Sequence, residues 1–65
     1  IISDFTVPEL NYFRENCNFV GLEIRVFELR SQGISLDEIA SMLNLTLDGV
    51  KKISRKVNKK IIKVL

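Results

Sequence analysis

The side chains best able to do chemistry are crowded at one end of the chain. Lys51, Lys52, Arg55, Lys56, Lys59, Lys60 and Lys63 place seven positive charges within residues 49–65, with no acid among them. Residues 1–48 hold eight acidic against three basic side chains, a net −5, so the overall +2 conceals an acidic body and a +7 tail. A solvated helix face is the plainer use of such a run. Like charges four residues apart repel, however, and no Glu is interleaved to relieve them. The chemistry this pattern suits is capture of a polyanion. Lys and Arg donate to phosphate oxygens, and an Arg fork can also donate in pairs to guanine O6 and N7.

Catalysis finds little to work with. The sequence has no His to serve as a base and no Gly-rich phosphate loop,. Asp37 and Glu38 are adjacent carboxylates, but neighbours diverge around a helix, and capping accounts for both. Cys17 is alone, so it forms no internal disulfide and builds no zinc site. Its apolar surroundings suit a buried, inert thiol. The chain is expected to be no enzyme and to hold neither metal nor cofactor. No run approaches the ~18 apolar residues of a membrane span, and no signal-peptide pattern opens the chain. A reducing compartment, the cytoplasm, is expected.

For the cations to act together, something must hold them on one face, and the spacing supplies a helix. Val50, Ile53, Val57, Ile61 and Val64 recur at intervals of 3, 4, 4 and 3, the stripe of an amphipathic helix. This predicts a helix over 47–64, about 18 residues and roughly 27 Å long. Asp48, Lys51, Lys52, Arg55, Lys56 and Lys59 fall on the side away from the stripe. Thr46 is its cap, Leu45 and Val50 its hydrophobic staple, and Asp48 complements the dipole. Gly49 is a poor helix former, so the first turn is expected to be loose until something binds it.

Three further helices precede it. Thr6-Val7-Pro8-Glu9 reads as a capping box with Pro in the first turn, and Phe5 with Leu10 as a staple. A helix is predicted over 7–16, burying Leu10, Phe13 and Cys17. A second covers 22–31, with an irregular start because Val20 stands where a Ser or Thr cap is expected. Its Ile24, Val26, Phe27 and Leu29 are apolar on more than one side, as for a helix touched by two neighbours. Gly33 suits the left-handed position that ends it. A third covers 36–43: Ser35 caps, Glu38 completes the box, and Ile34 with Ile39 forms the staple. Its inward stripe is Leu36, Ile39, Ala40 and Leu43. Sixty-five residues, 46% of them hydrophobic, make one small domain that buries only about 60% of its unfolded surface.

The helix over 36–43, the turn Asn44-Leu45-Thr46 and the basic helix are the parts a helix-turn-helix requires. The expected fold is all-α: a four-helix, tetrahelical helix-turn-helix domain over 1–65, with duplex DNA as its partner. A major groove about 12 Å wide admits one helix, whose N-terminal turns meet base edges. Leu47, Asp48, Lys51, Lys52 and Arg55 occupy those turns. Arg55 is the best placed for a paired contact to guanine; Lys51 and Lys52 reach either bases or phosphates. Lys56, Lys59 and Lys60, further along, are expected at the phosphate backbone or in solvent. Asp48 repels phosphate or accepts from cytosine N4, although its dipole role alone suffices. Ser35 and Thr46, at helix N-termini, can each bring a backbone amide to a phosphate.

Arg25-Val26-Phe27-Glu28-Leu29-Arg30, the segment Gly33-Ile34-Ser35-Leu36-Asp37-Glu38-Ile39-Ala40, Leu43 and Val50-Lys51 resemble the tetrahelical helix-turn-helix domains. Region 4 of bacterial sigma factors and the LuxR/GerE-type C-terminal domains of response regulators belong to that group. The resemblance covers residues 19–61, and the first helix is compatible with the group's extra one. It implies transcriptional regulation by a bacterial or phage-encoded protein, with recognition positions on Lys51, Lys52 and Arg55. A homodimer and an RNA polymerase contact are further partners it admits. Departures are Val20 in place of a Thr or Ser cap, Asn44 where Gly is common, and Gly49 where Thr or Ser is usual.

Ile61, Ile62, Val64 and Leu65 are more apolar than a solvated helix end needs. Either they dock on the first helix and close the core, or they serve a dimer. Val50, Val57 and Val64, seven apart, suit the a positions of a short coiled coil, although Lys60 at d weakens the seam. A helical interaction module of a larger protein is therefore the alternative function. A basic helix lying on anionic lipid ranks last, because the chain has no Trp and the apolar stripe is needed inside,.

Overall fold

The computed structural model describes residues 4–65; the lead-in Ile1–Ser3 lies outside the described residues. The described chain is all-helical, with α1 Val7–Asn16, α2 Leu22–Ser31, α3 Leu36–Leu43 and α4 Leu47–Val64. Each helix starts where its local chemistry permits. At α1, Thr6 Oγ1 accepts from the Glu9 amide at 3.4 Å, and the Glu9 carboxylate accepts from the Thr6 amide at 2.8 Å. The box is complete, with Pro8 in the first turn,. At α3 only half of the expected box forms. Ser35 Oγ accepts from the Glu38 amide at 3.3 Å, while the exposed Glu38 carboxylate stays in solvent, where water competes for it.

The irregular start expected for α2 has a definite cause. Its cap is Gly21, at φ 55° and ψ −126°, and no side chain caps the helix. A Cβ at Gly21 would meet nothing within 4 Å, so backbone conformation alone selects glycine there. Glu23 compensates by reaching back to accept from the Val20 amide at 3.1 Å. The ends of α2 and α3 are built alike. Gly33 and Asn44 take the left-handed conformation, φ 84° and 58°. The next amide in each case bonds five residues back, Ile34 to the Leu29 carbonyl at 3.2 Å and Leu45 to Ala40 at 2.8 Å, closing a Schellman-type turn.

The core forms around α4, which packs against all three other helices and most extensively against α2. Two clusters result. Leu10, Phe13, Cys17, Phe27, Val57 and Ile61 join α1, α2 and the second half of α4, with Phe5 and Phe19 packed on them. Phe5 meets Phe13 edge-on at 4.9 Å, and Phe19 lies tilted against Phe27 at 4.7 Å. Val26, Ile39, Ala40 and Val50 join α2, α3 and the first half of α4, with Leu36, Leu43 and Leu45 around them. Val26 and Phe27 are adjacent, so they point about 100° apart and feed different clusters. That is how α2 serves two neighbours. Ile53 touches both clusters.

Two ion pairs at long sequence range fasten the first cluster. Arg14 donates through Nε and Nη2 to both oxygens of Glu28, the second at 2.7 Å. Its guanidinium also lies 5.6 Å from the centre of the Phe27 ring,. Lys60 Nζ donates to the Glu23 carboxylate and, at 3.0 Å, to the Asn18 carbonyl. These bonds hold the Glu23 and Glu28 carboxyls below the usual glutamate range and raise Arg14 further,.

Candidate nucleic-acid interface

The inner face of α4 is consumed by the fold. Val50 and Val57 are fully buried, Ile61 nearly so, and Ile53 and Val64 half-buried. The helix is 18 residues long and runs the length of the molecule, whose longest dimension is 29 Å. Its polar face is thereby aimed outward along the whole domain. Lys51, Lys52, Arg55, Lys56, Lys59 and Lys63 are all exposed. Among the described residues none of these six makes a hydrogen bond or ion pair. Lys56 is near enough to Glu23 to help hold its carboxyl down.

Lys60 departs from expectation. Rather than meeting solvent or a ligand, it is half-buried and committed to Glu23 and Asn18. The reason is its place at the edge of the apolar stripe, close to the α1–α2 loop. Its carbonyl also accepts from the Cys17 thiol at 3.5 Å. Burial pushes that thiol up, with the Lys60 charge partly opposing, so Cys17 is a packed side chain and a poor nucleophile.

The start of α4 is a capped helical turn. Gly49 is helical and half-buried, and its amide donates to Thr46 Oγ1 at 3.1 Å. A Cβ on Gly49 would stand 3.2 Å from that oxygen, so glycine keeps the cap uncrowded. Thr46 and Asp48 are exposed and Leu47 is half-buried, which places all three at the mouth of the helix beside Lys51 and Lys52. Ser35 is exposed at the start of α3, flanked by exposed Asp37 and Glu38. Two carboxylates there oppose an anion at this amide.

The terminal apolar residues divide. Ile61 and Val64 pack into the first cluster with Leu10 and Phe13, closing the core as one reading expected. Ile62 and Leu65 are left 69% and 74% exposed. The coiled-coil seam through Val50, Val57 and Val64 is overturned, because Val50 and Val57 are fully buried inside their own domain. A groove of about 430 Å³ lies beside the exposed pair, lined by Phe5, Arg30, Ser54, Asn58 and Ile61.

Sequence reasoning missed the partners Glu23, Glu28 and Arg14. They sit 37 and 14 residues from the groups they bind, and no local spacing encodes such pairings. Among the described residues no group of His, Cys, Asp and Glu could hold a metal, and no helix is long and apolar enough to cross a membrane. No known family, curated protein or solved structure matches the chain.

Proposed function

We propose that α3, the turn 44–46 and α4 act as a helix-turn-helix that binds duplex DNA through the major groove, and that the protein regulates transcription without catalysis. The observation that carries this reading is the exposure of Lys51, Lys52 and Arg55 on the first half of α4, none of them paired among the described residues. A cation already committed to a carboxylate has little left to offer a phosphate or a base edge. These three are uncommitted, on a helix whose other face is anchored. Arg55 donates in pairs to guanine, and Lys51 and Lys52 contact bases or adjacent phosphates. Thr46, Leu47 and Asp48 border the same surface, with Lys56 and Lys59 on its flank. Ser35 takes the weakest part, given Asp37 and Glu38. On this reading, which the resemblance to tetrahelical helix-turn-helix domains suggests, a bacterial or phage-encoded protein works in the cytoplasm, alone or as the DNA-binding end of a longer regulator. An RNA polymerase contact goes with the sigma-like form of that role.

The test is fluorescence anisotropy with duplex DNA across a salt series, for the native chain and a Lys51/Lys52/Arg55→Ala variant. A native log–log slope of about −3 to −6 is expected, at ~0.9 per phosphate neutralised. The variant should lose both affinity and sequence preference. Absence of duplex binding at about 50 mM salt, a regime that favours charge pairing, removes the reading.

A second reading has one observation in its favour. Exposed Ile62 and Leu65 beside the groove of about 430 Å³ suit a helical interaction module, including a homodimer. Concentration-dependent size without DNA binding, measured by sedimentation, would select it.

A further inference from the structure

The exposed cations of α4 do not form one undivided patch. Lys52, Lys56, Lys59 and Lys63 are spaced 4, 3 and 4 residues apart, so they stand within roughly 60° of one another around the helix. They make a row roughly 16 Å long on the side facing the start of α2. Lys51 and Arg55 stand on the other side of the outer face, continued towards the C-terminus by uncharged Asn58, Ile62 and Leu65. The lysine row borders a shallow concavity of about 230 Å³ lined by Lys56, Lys59, Lys63, Lys60 and Glu23. The one carboxylate in that lining is already bonded to Lys60. The concavity therefore presents three unpaired ammonium groups and no free anion.

We propose that this row is a phosphate rail: Lys56, Lys59 and Lys63, continuing from Lys52, follow the sugar–phosphate backbone of the same duplex whose bases Lys51 and Arg55 read. The inference rests on the duplex-binding reading and divides its labour by side of the helix. It assigns a role to Lys63, at the far end of α4, and removes Lys60, which acts as a post fixing α4 to α2. Lysine fits this task because a flexible point charge tolerates an irregular phosphate path, whereas paired recognition of a base favours Arg. A lipid surface would need apolar side chains interleaved with the lysines for insertion. Positions 52, 56, 59 and 63 carry none, the inward neighbours Val57 and Ile61 are buried, and the exposed Ile62 and Leu65 fall on the side of Lys51 and Arg55 rather than within the row.

The experiment compares the native chain, a Lys56/Lys59/Lys63→Gln variant and Lys60→Gln on a random-sequence duplex over about 50 to 200 mM salt. Circular dichroism melts report folding. The triple variant should remain folded, since it relieves like-charge repulsion, and its slope should shrink by about 2.7. Across that fourfold salt change it should lose roughly 40-fold less affinity than the native chain. On a selected site its sequence preference should persist. Lys60→Gln should lower the melting temperature and leave the slope unchanged. A native slope retained by the triple variant overturns the rail while leaving the DNA reading intact, and so does loss of sequence preference with the slope unchanged. A native chain that binds no duplex defeats both, and one that prefers phosphatidylserine vesicles to duplex assigns the row to a membrane.

Discussion

The two core clusters are built from the same pair of helices yet by different means. Around Phe13 and Phe27, aromatic rings meet one another and two ion pairs lock the perimeter. Around Ile39 and Val50 the contacts are aliphatic and small, and among the described residues no ion pair borders them. That half buries Val26, Ile39, Ala40 and Val50, with Ser35 and Thr46 capping the helices that meet there. The difference follows from what each half carries. The aromatic half anchors the distal part of α4 and spends charges internally. The aliphatic half presents Lys51, Lys52 and Arg55, which are paired with no carboxylate among the described residues. Of the cations on the distal half of α4, Lys60 alone is spent on the fold, while Lys56, Lys59 and Lys63 stay exposed.

The strongest way to break that contrast is to empty each cluster in turn. Phe27→Ala should cost about 3–5 kcal/mol, comparable with the whole stability expected of so short a chain. Ile39→Ala should cost about 2–5 kcal/mol. Urea unfolding followed by circular dichroism should give a single transition in whichever variants remain folded, because α2, α4 and Ile53 belong to both clusters,. A separate early transition in Ile39→Ala would show that the α3 half unfolds alone. A smaller effect sharpens the role of the turn. Asn44 sits at φ 58°, so Asn44→Ala should lower stability by about 1–2 kcal/mol, while Asn44→Gly should be close to neutral.

The mildest test is acid. Glu23 and Glu28 are held below their ordinary range, first by hydrogen bonds from Lys60 and Arg14. Their folded values are lower than their unfolded ones, so the stability they contribute is full above about pH 4.3 and disappears as pH falls through the depressed values. Melting temperature should therefore drop below about pH 4.3. The drop should be smaller in Glu23→Gln/Glu28→Gln, and Ile39→Ala should leave its size unchanged.

The four helices were legible because their limits are set by interactions spanning three to five residues. Thr6 with Glu9, Ser35 with the Glu38 amide, Thr46 with the Gly49 amide, and the left-handed Gly33 and Asn44 all act within a turn. The outward placement of Lys51, Lys52 and Arg55 was legible for the same reason, since helical periodicity alone puts them opposite Val50 and Val57. The same periodicity put Ile61 on the buried stripe and left Ile62, one step of about 100° around the helix, off it,. Tertiary structure decided the rest: that Lys60 closes on Glu23 and that Arg14 spans to Glu28 across Phe27. Those partners stand 37 and 14 residues apart, and only the packing of α2 against α1 and α4 brings them together, because no interaction within a helical turn relates residues at such separations.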